Sequence, residues 1–219
     1  MRKSVYNKPL EKFKNIHSGK SSILFTTGPS IKKYKSFKNS EKYIKVGLNR
    51  IYDYEDILST LDYYFFGSHY NQDMEHQKNI NKSCKKYNFV KLASAYENDK
   101  SHTQINRGNV TPEDAIKMGA IPFENNLSDF SNDVSKYAML GHSIVFPALQ
   151  FILYTGISQL YLVGCDGGTT IGPTQVGDKH ILGWWKRFKT FKECYYKDVK
   201  IISINPASLR GWFDDEIIE

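Results

Sequence analysis

Apolar residues along this chain fall in short runs that end in glycine, asparagine or aspartate, with amphipathic stretches between them. Residues 22–27 (SILFTT) are too short and too apolar for a surface helix and predict a central strand, with Gly28-Pro29-Ser30 turning into a helix start. Residues 43–49 (YIKVGLN) predict a second strand. Residues 53–60 (DYEDILST) predict a short helix, opened by acidic residues that suit the positive end of the helix dipole. Residues 63–66 (YYFF) predict a third strand ending at Gly67-Ser68-His69, followed by a polar helix over about 70–82 and a fourth strand over 88–93 (NFVKLA).

From 94 to about 137 the periodicity fades into Gly, Pro, Asn and Asp, which predicts a lid-like excursion. Order returns with a helix over 143–154 stopped by Gly156, then a strand over 159–163 running into Gly164-Cys165-Asp166-Gly167-Gly168. Trp184, Phe188, Phe191 and Tyr195 recur at helical spacing among basic residues and predict an amphipathic helix with those four on its apolar face. Residues 199–204 (VKIISI) predict a last strand. Apolar strands joined by crossover-length helical segments give a Rossmann-like α/β fold, a mostly parallel sheet with helices on both faces, in one domain over 1–219.

Composition fits this picture: 219 residues with 40% hydrophobic and 24% charged suit one globular domain and exclude collagen-like, mucin-like and wholly disordered classes. The apolar stretch 144–165 is interrupted by Pro147, Gln150, Gly156, Ser158 and Gln159, so it predicts a buried helix and strand rather than a membrane span. The opening MRKSVYNKPLEKFKN carries no apolar run of the export type, and three cysteines without paired spacing support neither a disulfide framework nor a zinc site. A cytoplasmic home is expected. Charge is uneven: residues 1–50 hold 13 Lys/Arg against Glu11 and Glu41, a surplus of +11 that leaves −4 for the rest of the +7 total. Such a basic end suits anionic small molecules, acidic glycans or peripheral contact with membrane lipids, and equally a plain solvated face. No zinc-finger, RRM or basic-zipper pattern accompanies it, so nucleic acid is not an expected partner; a homo-oligomer is compatible with the sequence.

In open parallel sheets ligands bind beyond the carboxyl ends of the strands. That rule selects Thr27-Gly28-Pro29-Ser30, Asn49-Arg50, Gly67-Ser68-His69 and Asp166-Gly167-Gly168. The first turn offers a glycine for close approach and helix-start amides for a phosphate, though it is neither a Walker loop nor a Gly-x-Gly-x-x-Gly fingerprint and reads equally as a plain strand-to-helix turn. Asn49 can donate to and accept from a sugar or base, and Arg50 can grip an anion; a cap and a surface arginine is the bland alternative. Asp166 suits a hydroxyl, a metal or a helix cap. No Asp-x-Asp occurs, which disfavours a metal-diphosphate clamp, and His69, His76 and His102 lack a metal-ligand spacing. His180, in the loop Gly177-Asp178-Lys179-His180, could act as a general base oriented by Asp178, or serve structure alone. His142 and Ser143 are adjacent in sequence and so diverge at a helix start, which argues against a Ser/His pair; no Gly-x-Ser-x-Gly elbow is present.

The order of motifs TTGPSIKKY, VGLNRIY, GISQLYLVGCD, a histidine before a helix, and IISINPASL resembles the bacterial sialyltransferases of glycosyltransferase family 42 over residues 22–213. Less specifically, it resembles the MptE-like proteins that include a pterin pyrophosphokinase. The sialyltransferase resemblance implies that Thr27, Gly28, Pro29, Ser30, Asn49 and the Ser143 region bind the CMP part of CMP-sialic acid, and that His180 is the general base. Gly167-Gly168-Thr169-Thr170 stand where the family has tyrosines holding the donor phosphate. The implied activity is metal-independent, inverting transfer of a sugar from a nucleotide-activated donor to a glycan or lipid-linked acceptor. Alternatives are an Mg²⁺-dependent transfer of diphosphate from ATP to a pterin alcohol, and a non-catalytic nucleotide- or glycan-binding module.

Overall fold

The computed structural model describes residues 3–4, 6–36, 42–67, 73–95, 110–126, 128–140, 143–167 and 179–218. In chain order the strands and helices are β1 (Ser21–Phe25), β2 (Ile44–Leu48), α1 (Glu55–Leu58), β3 (Tyr63–Phe66), α2 (Met74–Lys86), β4 (Val90–Ser94), α3 (Pro112–Lys117), β5 (Ile121–Phe123), β6 (Asn125–Asn126), β7 (Met139–Leu140), α4 (Val145–Tyr154), β8 (Gln159–Val163), α5 (Lys179–Tyr195), β9 (Lys200–Ile204) and β10 (Asp214–Glu216). Three 3-10 segments, Lys8–Phe13, Pro29–Ser36 and Asn49–Asp53, complete the described elements.

Each helix has a local cause. Asp73 caps α2 by accepting the His76 amide, with Lys85 and Lys86 at the negative end of the dipole. Thr111 caps α3 in the same way and Pro112 occupies its first turn. All ten residues of α4 are buried, the signature of a helix apolar on every side. Its polar member, Gln150, is fully engaged: Oε1 accepts from the Ser131 and Leu140 amides and Nε2 donates to the Leu140 and Phe146 carbonyls. The helix stops at Gly156, whose φ of +84° suits glycine.

Eight strands form one parallel sheet in the order β10-β9-β8-β1-β2-β3-β4-β5, and β6 and β7 form a separate parallel pair. The chain thus walks outward from β1 to β5, then restarts on the other side of β1 with β8. Alternate residues of each strand enter two cores. Leu24, Val46, Phe65, Leu92 and Leu162 face α4, α5 and the segment Lys8–Phe13, while Ile23, Phe25, Tyr64, Phe66 and Val163 face Ile31, α1, α2 and α3. This is the Rossmann-like α/β fold. The reversal of strand order between β1 and β8 makes their carboxyl ends a topological switch point.

Both sheet edges are short. β5 carries Pro122, and β10 is the exposed run Asp214-Asp215-Glu216. Within 94–137, α3 and β5 follow residue 109 and β5 extends the sheet, while 128–137 form no helix or strand; residues 96–109 and 127 lie outside the described residues. The apolar face of α5 is shifted from the expected one. Ile181, Trp185, Phe188 and Phe191 are buried, whereas Trp184 is half-buried and Tyr195 is 58% exposed, because Ile181 and Trp185 continue the 3.6-residue stripe toward the sheet and Tyr195 is the last residue of the helix. Among the described residues, no helix is long and apolar enough to cross a membrane.

Candidate functional site

At the carboxyl end of β1 the chain is sewn to the end of β8. The Thr26 amide donates to Val163 O, the Gly28 amide to Gly164 O and the Gly164 amide to Ser30 Oγ, at 2.9, 2.9 and 3.1 Å. Thr26 Oγ1 also donates to the Gly164 carbonyl. The contact is possible because residue 28 has no side chain: a Cβ there would lie 2.3 Å from Gly164 O and 2.4 Å from Asp166 Oδ2. Gly164 is equally constrained, with φ +74° and Thr26 O 2.3 Å from where its Cβ would stand.

Asp166 is 3% exposed, and its Oδ2 accepts the Ser30 amide at 2.9 Å. It therefore caps the 3-10 segment that starts after the first turn, from the opposite side of the seam. The expectation of free amides cradling a phosphate at this turn is not met. The Gly28 and Ser30 amides are taken as above, the Ile31 amide donates to Gly28 O, and Pro29 has none. The anion in the cradle is the protein's own carboxylate. The second oxygen, Asp166 Oδ1, is buried and has no hydrogen-bond partner.

Asn49 follows β2, the neighbour of β1 on the other side. It adopts φ +38°, and its Oδ1 is likewise buried without a partner. With one strand between them, the ends of β2 and β8 stand about 10 Å apart, twice the inter-strand spacing. Arg50 points to solvent and lies 3.8 Å from Asp53, so it is a surface ion pair. Asn205, after β9, repeats the Asn49 pattern: φ +45°, Oδ1 accepting the Ile218 amide, Nδ2 buried without a partner. The positional parallel, an asparagine ending each of two apolar runs, was visible in the sequence. Among the described residues, the ends of β2, β8 and β9 thus carry two buried acceptor atoms and one buried donor atom without a hydrogen-bond partner.

The remaining candidates surround this seam at different depths. Gly167 has φ +75°, and a Cβ on it would meet Leu182 of α5 at 3.0 Å and Ser208 at 3.1 Å, so the first turn of α5 packs directly beside the switch point. His180 lies in that turn, in the helix rather than in a loop. It is exposed, and its Nε2 accepts from Trp184 Nε1 at 3.3 Å, while Arg187 covers the other ring of the row, 4.2 Å above Trp184. Ser143 is half-buried at the entrance to α4, where its carbonyl accepts the Phe146 amide. Gly67 ends β3 with φ +146° against Ser94. Ser68, His69, His102, His142 and residues 168–178, including Gly168 and Asp178, lie outside the described residues.

His76, buried on α2, bonds through Nδ1 to Tyr52 OH at 2.7 Å and belongs to the helix packing. Among the described residues no three His, Cys, Asp or Glu side chains gather as metal ligands. An open groove of about 450 Å³ lies between the second half of α5 and residues 211–214. Two of its four lysines are already engaged, Lys200 with Asp214 and Lys192 with the Lys197 carbonyl. No family model matches the chain, and no curated protein or solved structure matches it.

Proposed function

We propose that the switch-point crevice binds a nucleotide-activated sugar and that the protein is a glycosyltransferase, of the sialyltransferase kind that its motif order resembles. The observation that carries this reading is the unsatisfied Asp166 Oδ1 at the β1/β8 seam, seconded by Asn49 Oδ1 one strand further on. A buried acceptor without a donor costs about 1–3 kcal/mol, which a ligand hydroxyl or amine can recover. Such acceptors suit the hydroxyl-rich face of a nucleoside or sugar, and a carboxylate repels phosphate. The donor's phosphate then belongs outside the seam, on the side of α5 and Ser143.

In this scheme the acceptor hydroxyl loses its proton to His180 while its oxygen bonds to the sugar's anomeric carbon. The bond from that carbon to the nucleotide oxygen breaks, and its electron pair leaves with the phosphate. His180 is exposed and so reachable by a bulky glycan or lipid-linked acceptor. Its Nε2, which accepts the 3.3 Å contact from Trp184 Nε1, is the atom that would take the proton. Transfer proceeds without a divalent ion.

Thermal shifts with CMP, UDP, GDP and ATP test the binding step, because a ligand of the native state raises the melting temperature. The expected result is stabilisation by CMP or another sugar-carrying nucleotide, followed by EDTA-resistant transfer from the matching donor. Stabilisation by ATP alone with a strict Mg²⁺ requirement would instead assign the pyrophosphokinase reaction. Binding without turnover of any donor would leave a nucleotide-binding module.

A further inference from the structure

Tyr64 stands in the middle of β3, opposite Gly47 of β2 in the parallel register, and is fully buried in the core on the α2 side. Its ring packs on Phe66 and Phe89 at centroid distances of 5.4 and 5.1 Å. A phenylalanine would fill that space as well. What the hydroxyl adds is one bond: it donates to the main-chain carbonyl of Asn49 at 2.6 Å. Burial pushes the phenol's pKa well above its ordinary value, so the group remains a proton donor at every working pH.

The carbonyl it holds belongs to a residue in a costly conformation. Asn49 sits at φ +38°, a region where L-residues other than glycine are uncommon and asparagine is among the best tolerated. The main chain there leaves β2 and enters the 3-10 segment Asn49–Asp53, and the orientation of the 49–50 peptide fixes the direction of the Asn49 Cα–Cβ bond. The Asn49 side chain finds no partner for Oδ1. One bond therefore holds the main-chain carbonyl of the residue whose side-chain Oδ1 is left without a partner.

We propose that Tyr64 is a positioning residue: its hydroxyl locks the Asn49 carbonyl, and with it the left-handed turn that presents the Asn49 amide to the sugar or base of a nucleotide at the strand ends. This rests on the reading of the crevice as a nucleotide site. Tyr64 does not touch the ligand; it acts through Asn49. A purely structural hydroxyl would lower stability when removed but would leave affinity independent of what residue 49 is.

The test is a double-mutant cycle with Tyr64→Phe, Asn49→Ala and their combination, read by calorimetric titration of CMP well below each variant's melting temperature. Each single variant is expected to lose about tenfold in CMP affinity, the size of one net hydrogen bond, and the combination no more than Asn49→Ala alone. Unchanged affinity in Tyr64→Phe, or losses that multiply in the combination, would overturn the proposal. A second, ligand-free measurement separates it from the nucleotide reading. The amide-to-Hα coupling constant of Asn49 should change in Tyr64→Phe as the turn leaves positive φ. If the wild type binds no CMP the nucleotide reading fails, and this coupling decides the positioning role by itself. Should Tyr64→Phe prove too unstable, Tyr64→Phe/Asn49→Gly is expected to refold, because glycine holds the turn without the clamp; failure of glycine to restore stability counts against it.

Discussion

The carboxylate of Asp166 and the main-chain amide of Ser30 meet at 2.9 Å across the line where strand order reverses. Two turns from distant parts of the sequence are thereby fixed to each other, and the helix-start charge that could attract a phosphate is already neutralised. The same bond leaves the second carboxylate oxygen, Oδ1, buried without a donor.

Gly28 is the steric key of that seam. Gly28→Ala would place a methyl 2.3 Å from the Gly164 carbonyl and 2.4 Å from Asp166, with backbone on one side that cannot move alone. Overpacking of this kind costs about 1–3 kcal/mol, so the melting temperature should fall clearly. Thermal unfolding followed by circular dichroism measures it, and a melting temperature equal to wild type would show that the seam can spread.

His180→Ala separates catalysis from folding. The side chain is exposed, so its loss should leave stability within about 0.5 kcal/mol. A positioned general base contributes about 10²–10⁴-fold, and turnover should drop on that order while donor affinity stays. Near wild-type turnover in the folded variant removes His180 from the mechanism.

A pH response arises at the opposite end of the sheet. His17 is buried against Tyr63, with Nε2 2.7 Å from the phenol oxygen and Nδ1 without a partner. Burial, then the charge of Lys20, lowers its pKa from 6.5, against a smaller opposite pull from Asp62. The unfolded chain therefore binds the proton first as pH falls. The associated stability is intact above about pH 6.5 and is lost as pH drops from there through the lowered folded-state value. Chemical denaturation between about pH 5 and 8 should show that slope, and His17→Gln should flatten it.

The three thiols should divide by burial. Cys84 and Cys165 are buried, and desolvation pushes each up to about 12, whereas Cys194 is exposed. A thiolate-specific reagent at pH 8 should titrate Cys194 rapidly in the native protein and reach the other two only in denaturant. Rapid modification of Cys165 would mean that the β8 end opens easily.

Much of the sheet was legible because its strands are nearly continuous apolar runs. The run at 159–163 matches β8 residue for residue, and that at 63–66 matches β3. β5 escaped because three residues containing a proline carry no periodic signal, and β10 because Asp-Asp-Glu opposes strand propensity. The strand-end residues Asn49 and Asp166 could be selected by position. Their chemistry could not, because the Asp166–Ser30 and Tyr64–Asn49 bonds join segments 136 and 15 residues apart, and no local pattern encodes such pairings. His180 was expected in a loop because the glycines before it hide the start of α5.

The margins of the sheet set how copies of this protein can meet. A strand added beside β5 would find three residues, one of them Pro122 with no N–H to offer. A copy of β10 laid against itself would bring Asp214, Asp215 and Glu216 against the same three charges. Neither margin can serve as a template for another chain, so edge-on polymerisation is disfavoured at both ends. Self-association, where it occurs, is left to the helical faces.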